Sequence, residues 1–187
     1  MPLSKIDSDS LNTGAVTSTA LAAGSVTPTI LSQPLTLGTA VPTTSGTSVD
    51  FTGIPSWVKR VTIILNGVST NSSNTFLVQV GDGSIVTTGY KTTRGQITTS
   101  TAVAQANTTA IAFWAPSSST SAHFGNIVLT TVGSNIWVSS FAVGQGTEVA
   151  ASYGGGGITL SGALDRFRLT TTGGDTFDAG SVNILYE

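Results

Sequence analysis

The chain is expected to fold as an all-β protein, an antiparallel two-sheet sandwich of the jelly-roll kind, with an extended N-terminal arm. Three observations predict this. No stretch shows the i, i+3, i+4 apolar spacing of an amphipathic helix. Short β-branched and aromatic runs recur along the chain, separated by Gly, Asn, Asp and Pro turns. Finally, 56 Thr and Ser with 22 Gly stand where charge normally stands: charged residues are 9%, against about 25% in an ordinary domain. Thr packs its branched Cβ well on a pleated surface, and Gly and Ser supply turns.

Residues 1–33 carry a ten-residue repeat. Leu11-Asn-Thr-Gly14-Ala-Val16-Thr17 aligns with Leu21-Ala-Ala-Gly24-Ser-Val26-Thr27, and Leu31 opens a third unit. Such a strip buries its apolar positions only against a neighbour. Leu11, Val16, Leu21, Val26 and Leu31 are therefore the expected attachment and oligomerisation residues. Residues 34–56 read as a linker punctuated by Pro34, Pro42 and Pro55, with short edge strands at 35–37 and 49–51. Residues 57–187 read as the sandwich. Strands are expected at 57–65, ending in an Asn66-Gly67 turn, and at 75–80, 85–90 and 108–114. A hairpin is expected from 123–132 and 135–143 around Gly133-Ser134. Strands at 163–171 and 181–186, joined through Gly173-Gly174-Asp175, complete the domain. In Arg166-Phe167-Arg168-Leu169 the apolar residues face inward and the arginines outward.

Composition narrows the function classes. Seven Lys and Arg against nine Asp and Glu leave no basic face for phosphates, so nucleic acid is not an expected partner. The absence of cysteine excludes disulfides and thiolate metal sites. No apolar run approaches the roughly 20 residues of a spanning helix, and Met1-Pro2-Leu3-Ser4-Lys5 lacks an apolar signal core. A surface so poor in charge points to area shared with partner chains.

Catalytic constellations are thin, and no enzyme activity, cofactor or metal is expected. His123 is the single histidine, expected at a strand end or facing a loop, and no Gly-x-Ser-x-Gly elbow surrounds a serine. Asp165, Asp175 and Asp178 read as turn and capping groups, as does Asp82 in Gly-Asp-Gly. Gly154 to Gly157 lack the Lys and helix of a phosphate cradle and are expected to form a flexible loop. Among the aromatics, Trp57, Trp114 and Trp137 read mainly as core or subunit contacts. Tyr90 and Tyr153, near loops, are the expected exposed pair for contact with host glycan.

Two stretches carry a family resemblance. Leu21-Ala22-Ala23-Gly24-Ser25-Val26-Thr27 resembles the short repeats that precede the distal domains of phage tail fibres. The stretch from Asp50-Phe51-Thr52-Gly53-Ile54-Pro55 to Arg60, and the ending Asp175-Thr176-Phe177-Asp178 to Glu187, resemble a β-sandwich module of tailed-phage structural proteins. The resemblance implies a homotrimeric virion component on the particle surface, made in the host cytoplasm. Its N-terminal arm would hold other virion proteins and its sandwich would project. A tail fibre, a head fibre, a capsid decoration protein and a receptor-binding module all fit it, and it brings no catalytic motif.

Overall fold

The computed structural model describes residues 33–116, 118–146 and 149–187. The arm positions Leu11, Val16, Leu21, Val26 and Leu31 lie outside the described residues. Leu35–Glu187 form one compact unit. Its strands, in chain order, are β1 (Thr36–Leu37), β2 (Val41–Pro42), β3 (Ser48–Thr52), β4 (Arg60–Thr70), β5 (Phe76–Gly81), β6 (Lys91–Ile97) and β7 (Ala102–Asn107). They continue with β8 (Ile111–Trp114), β9 (His123–Gly133), β10 (Ile136–Gln145), β11 (Ala151–Thr159), β12 (Arg166–Thr171) and β13 (Phe177–Tyr186).

The expected all-β sandwich is present, with unequal layers. A nine-stranded sheet runs β1-β13-β4-β9-β10-β11-β6-β7, with β2 also on β13, and a four-stranded sheet runs β3-β12-β5-β8. All pairings are antiparallel. The core lies between the layers. Ile63, Leu65, Ile127, Leu129 and Phe141 come from the large sheet, and Phe76, Val78, Val80, Phe167 and Leu169 from the small one. Phe76 is its hub, with Phe113 and Phe177 at centroid distances of 5.7 and 6.3 Å. The alternation expected in β12 is present: Phe167 and Leu169 are buried, whereas Arg166 and Arg168 pair outward with Asp165 and Asp50.

Several local expectations change. Asn66-Gly67 does not end its strand. Gly67, at φ +66°, makes a bulge inside β4, and the register against β9 shifts between Leu65 and Val68. The positive φ that suits a tight turn suits a bulge equally. Gly180 sits opposite at φ +90°, where an added Cβ would collide with the Gly67 carbonyl. The β9–β10 hairpin forms, and its turn residues are Ser134 and Asn135, at φ 51° and 58°.

The strand expected at 85–90 is absent. Gly89 at φ +84° interrupts it, and the strand starts one residue after Tyr90. Residues 154–157 are not a loop: they form the centre of β11. Strand β7 was not expected at all, because Ala-Val-Ala-Gln-Ala-Asn shows no apolar alternation.

The small sheet's edge strand β8 is closed by side chains of β6. Thr92 Oγ1 donates to the Ala110 carbonyl at 2.8 Å. Gln96 Nε2 donates to the Ala115 carbonyl, and its Oε1 accepts from the Ala115 N–H. Polar residues therefore face inward on β6, since they satisfy backbone groups that burial would otherwise orphan.

Candidate assembly face

Register places the outward side chains of the nine-stranded sheet in rows. One row runs Gly95, Tyr153, Ala142, Asn126, Ile64, Asn183. The next runs Thr93, Gly155, Ser140, Val128, Thr62, Leu185, and reaches Leu37 on β1. Neither row contains a charge. The terminal row runs Lys91, Gly157, Val138, Thr130, Arg60, and Arg60 pairs with Glu187. Among the described residues, charge on this face is confined to that rim and to Asp178, exposed at the other end of β13. The small sheet presents the opposite surface, with the Arg168–Asp50 pair across β12 and β3 and the Arg166–Asp165 pair at the end of β12.

Exposed apolar groups collect on the outer face of the nine-stranded sheet. Ile97, Phe124, Ile136, Val138 and Tyr153 are all exposed, Val138 at 43% and Tyr153 at 53%. Glycine shapes the surface between them. Gly157 has no side chain beside Val138, and a trough of about 510 Å³ opens there, lined by Gly89, Lys91, Ile136, Val138, Gly157 and Thr159. The Tyr153 ring lies over Gly95 of the neighbouring strand, where an added Cβ would come within 2.9 Å of Tyr153 Cζ. The result is a broad surface, charged only sparsely, with one large aromatic ring near β6.

The two tyrosines separate. Tyr153 is exposed as expected. Tyr90 is 1% exposed and offers no surface for a glycan. Its hydroxyl oxygen accepts from the Val80 N–H at 2.7 Å, and its O–H donates to the Val86 carbonyl at 3.0 Å. Burial pushes its pKa up to about 12. Since 85–90 forms no strand, this hydroxyl takes up backbone groups that a ladder would otherwise satisfy.

The remaining candidates take structural positions. His123 starts β9, the strand-end place expected for it, and is fully buried instead of facing a loop. Its ring lies 4.8 Å from Phe76 and 4.9 Å from Trp114, and Nδ1 lies 2.9 Å from the Val68 carbonyl. Nε2 has no hydrogen-bond partner, so no hydroxyl among the described residues is paired with it. Asp175 accepts from Asn74 and Asp178 from Ser69. Asp82 accepts from Ser161 and the Gly162 N–H, and Asp165 from the Gly83 N–H. None of these bonds is the local turn or capping contact expected: all join residues distant in sequence, and Asp178 on β13 reaches Ser69 on β4. Trp114 and Trp137 are core residues, and Trp57 is half-buried beside Tyr186.

Sequence reasoning found Tyr153 but missed the face. The missing signal is register: only strand order shows that the uncharged residues of six strands share one side. Comparisons with protein-family models, with curated proteins and with solved structures each found no match to this chain. What fold and face define together is a two-sheet β-sandwich with one sheet surface whose central rows carry no charge.

Proposed function

We propose that the chain is a structural component of a bacteriophage particle. In this reading it works as a homotrimer, its residues 1–33 attach it to other virion proteins, and its sandwich packs against sister chains through the outer face of the nine-stranded sheet. A tail or head fibre and a capsid decoration protein both fit this role. One observation carries it: the outer face of the nine-stranded sheet has central rows without charge, and apolar side chains are exposed on that face. Stable interfaces are depleted of charge at their centres, whereas free surfaces need charge for solubility. The β-sandwich and the resemblance of the arm repeat to fibre repeats support the placement on a virion.

The test is a mass measurement in solution. The native chain is expected at three times its chain mass. Val138→Asp puts a carboxylate beside the exposed Ile136 in the terminal row of this face, so it is expected to give the monomer while shifting stability by only about 0.5 kcal/mol, as surface changes do. A trimer that persists in Val138→Asp removes this face from the interface. The position of the chain in an electron-microscopy map of the intact particle tests the virion placement itself.

The exposed Tyr153 ring favours a second reading, host-glycan binding, because flat aromatic surfaces stack on sugar faces. Glycan-array binding lost on Tyr153→Ala is the expected result of that role. No binding across host polysaccharides counts against it.

A further inference from the structure

β7 is the open edge of the nine-stranded sheet. It pairs with β6 from Thr92↔Asn107 to Ile97↔Ala102 without a bulge. Every residue from Ala102 to Ala106 is exposed. Edges of this kind are normally blunted by Lys, Pro or a bulge, because the free N–H and C=O groups invite another strand. Ala-Val-Ala-Gln-Ala-Asn has none of these protections.

An unpaired buried charge lies beside this edge. Arg94 on β6 stands in register with Gln105 of β7 and is 4% exposed. Its Nη1 donates to Gln96 Oε1 at 2.6 Å and its Nη2 to Gln105 Oε1 at 2.5 Å. Its Nε has no partner. Both acceptors are neutral amides, and a buried cation without a counter-charge is a costly arrangement. The described acids are engaged elsewhere: Asp50 with Arg168, Asp82 with Ser161, Asp165 with Arg166, Asp175 with Asn74, Asp178 with Ser69, Glu187 with Arg60. No ion pair among the described residues includes Arg94.

We propose that β7 receives an extended strand from another protein, and that a carboxylate on that strand, in register with Gln105, pairs with Arg94. The backbone edge supplies the affinity and the buried cation supplies the selection, as in other strand-addition modes. An added strand lies about 4.8 Å beyond β7, so its inward side chain starts roughly 10 Å from the Arg94 backbone. A glutamate and the arginine stem together span that gap, with Gln105 as the step between. The inference does not depend on the outer face or on the trimer.

The probe is a capped, extended Thr/Val peptide with one central Glu, compared with its Gln twin. The Glu peptide is expected to slow hydrogen exchange of the amides of residues 102–107, and the Gln peptide to bind at least tenfold more weakly. Gln105→Glu supplies the counter-charge from β7 itself without disturbing the fold. It is expected to raise the melting temperature and to abolish the preference for the Glu peptide. Val138→Asp should bind the Glu peptide normally, which separates this test from that of the assembly face. No protection by either peptide, or equal binding of both, overturns the proposal. Concentration-dependent protection of residues 102–107 in the purified chain alone also overturns it, since the occupant would then be a second copy.

Discussion

Gly156→Ala is expected to destabilise the sandwich by about 3 kcal/mol or more, the range of substitutions that overpack a core or strain a backbone. A Cβ built at Gly156 runs into the Lys91 carbonyl and stands 2.5 Å from Thr92 Cα and 2.8 Å from Thr92 Cγ2. Two of these are backbone atoms of β6, so relief requires β6 to part from β11. That movement would break the ladder from Lys91↔Gly157 to Ile97↔Ala151. Gly154→Ala should behave alike, because its Cβ would meet the Thr93 carbonyl, Phe141 Cζ at 2.6 Å and Arg94 Cα at 2.9 Å. Gly144→Ala is the control. It lies on β10 of the same sheet, and an added Cβ there meets nothing within 4 Å. Its expected effect is within about 0.5 kcal/mol. For a domain of this size each kcal/mol moves Tm by about 2–4 °C, so a thermal melt should show losses of roughly 6–12 °C for Gly156→Ala and little for Gly144→Ala. Equal melting of the two variants would remove the close-approach argument.

The same glycines explain what was and was not legible in the sequence. Strands whose side chains alternate were readable: β12 from Arg166-Phe167-Arg168-Leu169, β9 and β10 from their branched residues. β11 was not, because Gly154 to Gly157 carry no side chains with which to alternate. Their requirement is the near approach of backbones on both sides: a Cβ added at Gly155 would stand 2.6 Å from the Ser139 carbonyl on β10, as one added at Gly156 would run into the Lys91 carbonyl on β6. A four-glycine run therefore reads as a loop by composition and folds as a central strand by crowding. β6 misled in another way. Its inward Thr92 and Gln96 look like surface residues, yet they satisfy the backbone of Ala110 and Ala115 at the two ends of β8. Tyr90 reads as exposed because it neighbours a loop, and the loop's own backbone is what draws its hydroxyl in. The candidate face was half legible. The scarcity of charge was visible in composition, but its segregation to one sheet depends on strand order, which hydropathy does not encode.

Mild acid is expected to weaken the fold through His123. Burial between Phe76 and Trp114 holds its pKa down to about 4, from the ordinary 6.5. The hydrogen bond to the Val68 carbonyl opposes that shift and does not cancel it. With Nδ1–H donating to Val68, the neutral ring leaves Nε2 facing the core without a partner. Between these two pH values the unfolded chain binds a proton that the folded chain refuses. Stability therefore rises with pH through this window, is fully present above about 6.5, and is lost as pH falls toward 4. The whole loss is about 3 kcal/mol. Carboxylates produce a separate fall at lower pH. The hydrogen bond from Arg166 holds Asp165 down to about 2, and that from Ser161 lowers Asp82, so their contribution is lost only below the ordinary carboxylate range. Urea unfolding at a series of pH values resolves the two. His123→Phe removes the titrating ring and leaves the Val68 carbonyl without its donor, so it is expected to be less stable at pH 7 by about 1–3 kcal/mol. Its stability should then stay flat from pH 6.5 to 4, while the lower fall remains. A His123→Phe profile as steep as that of the native chain in this window would place the acid sensitivity elsewhere in the protein.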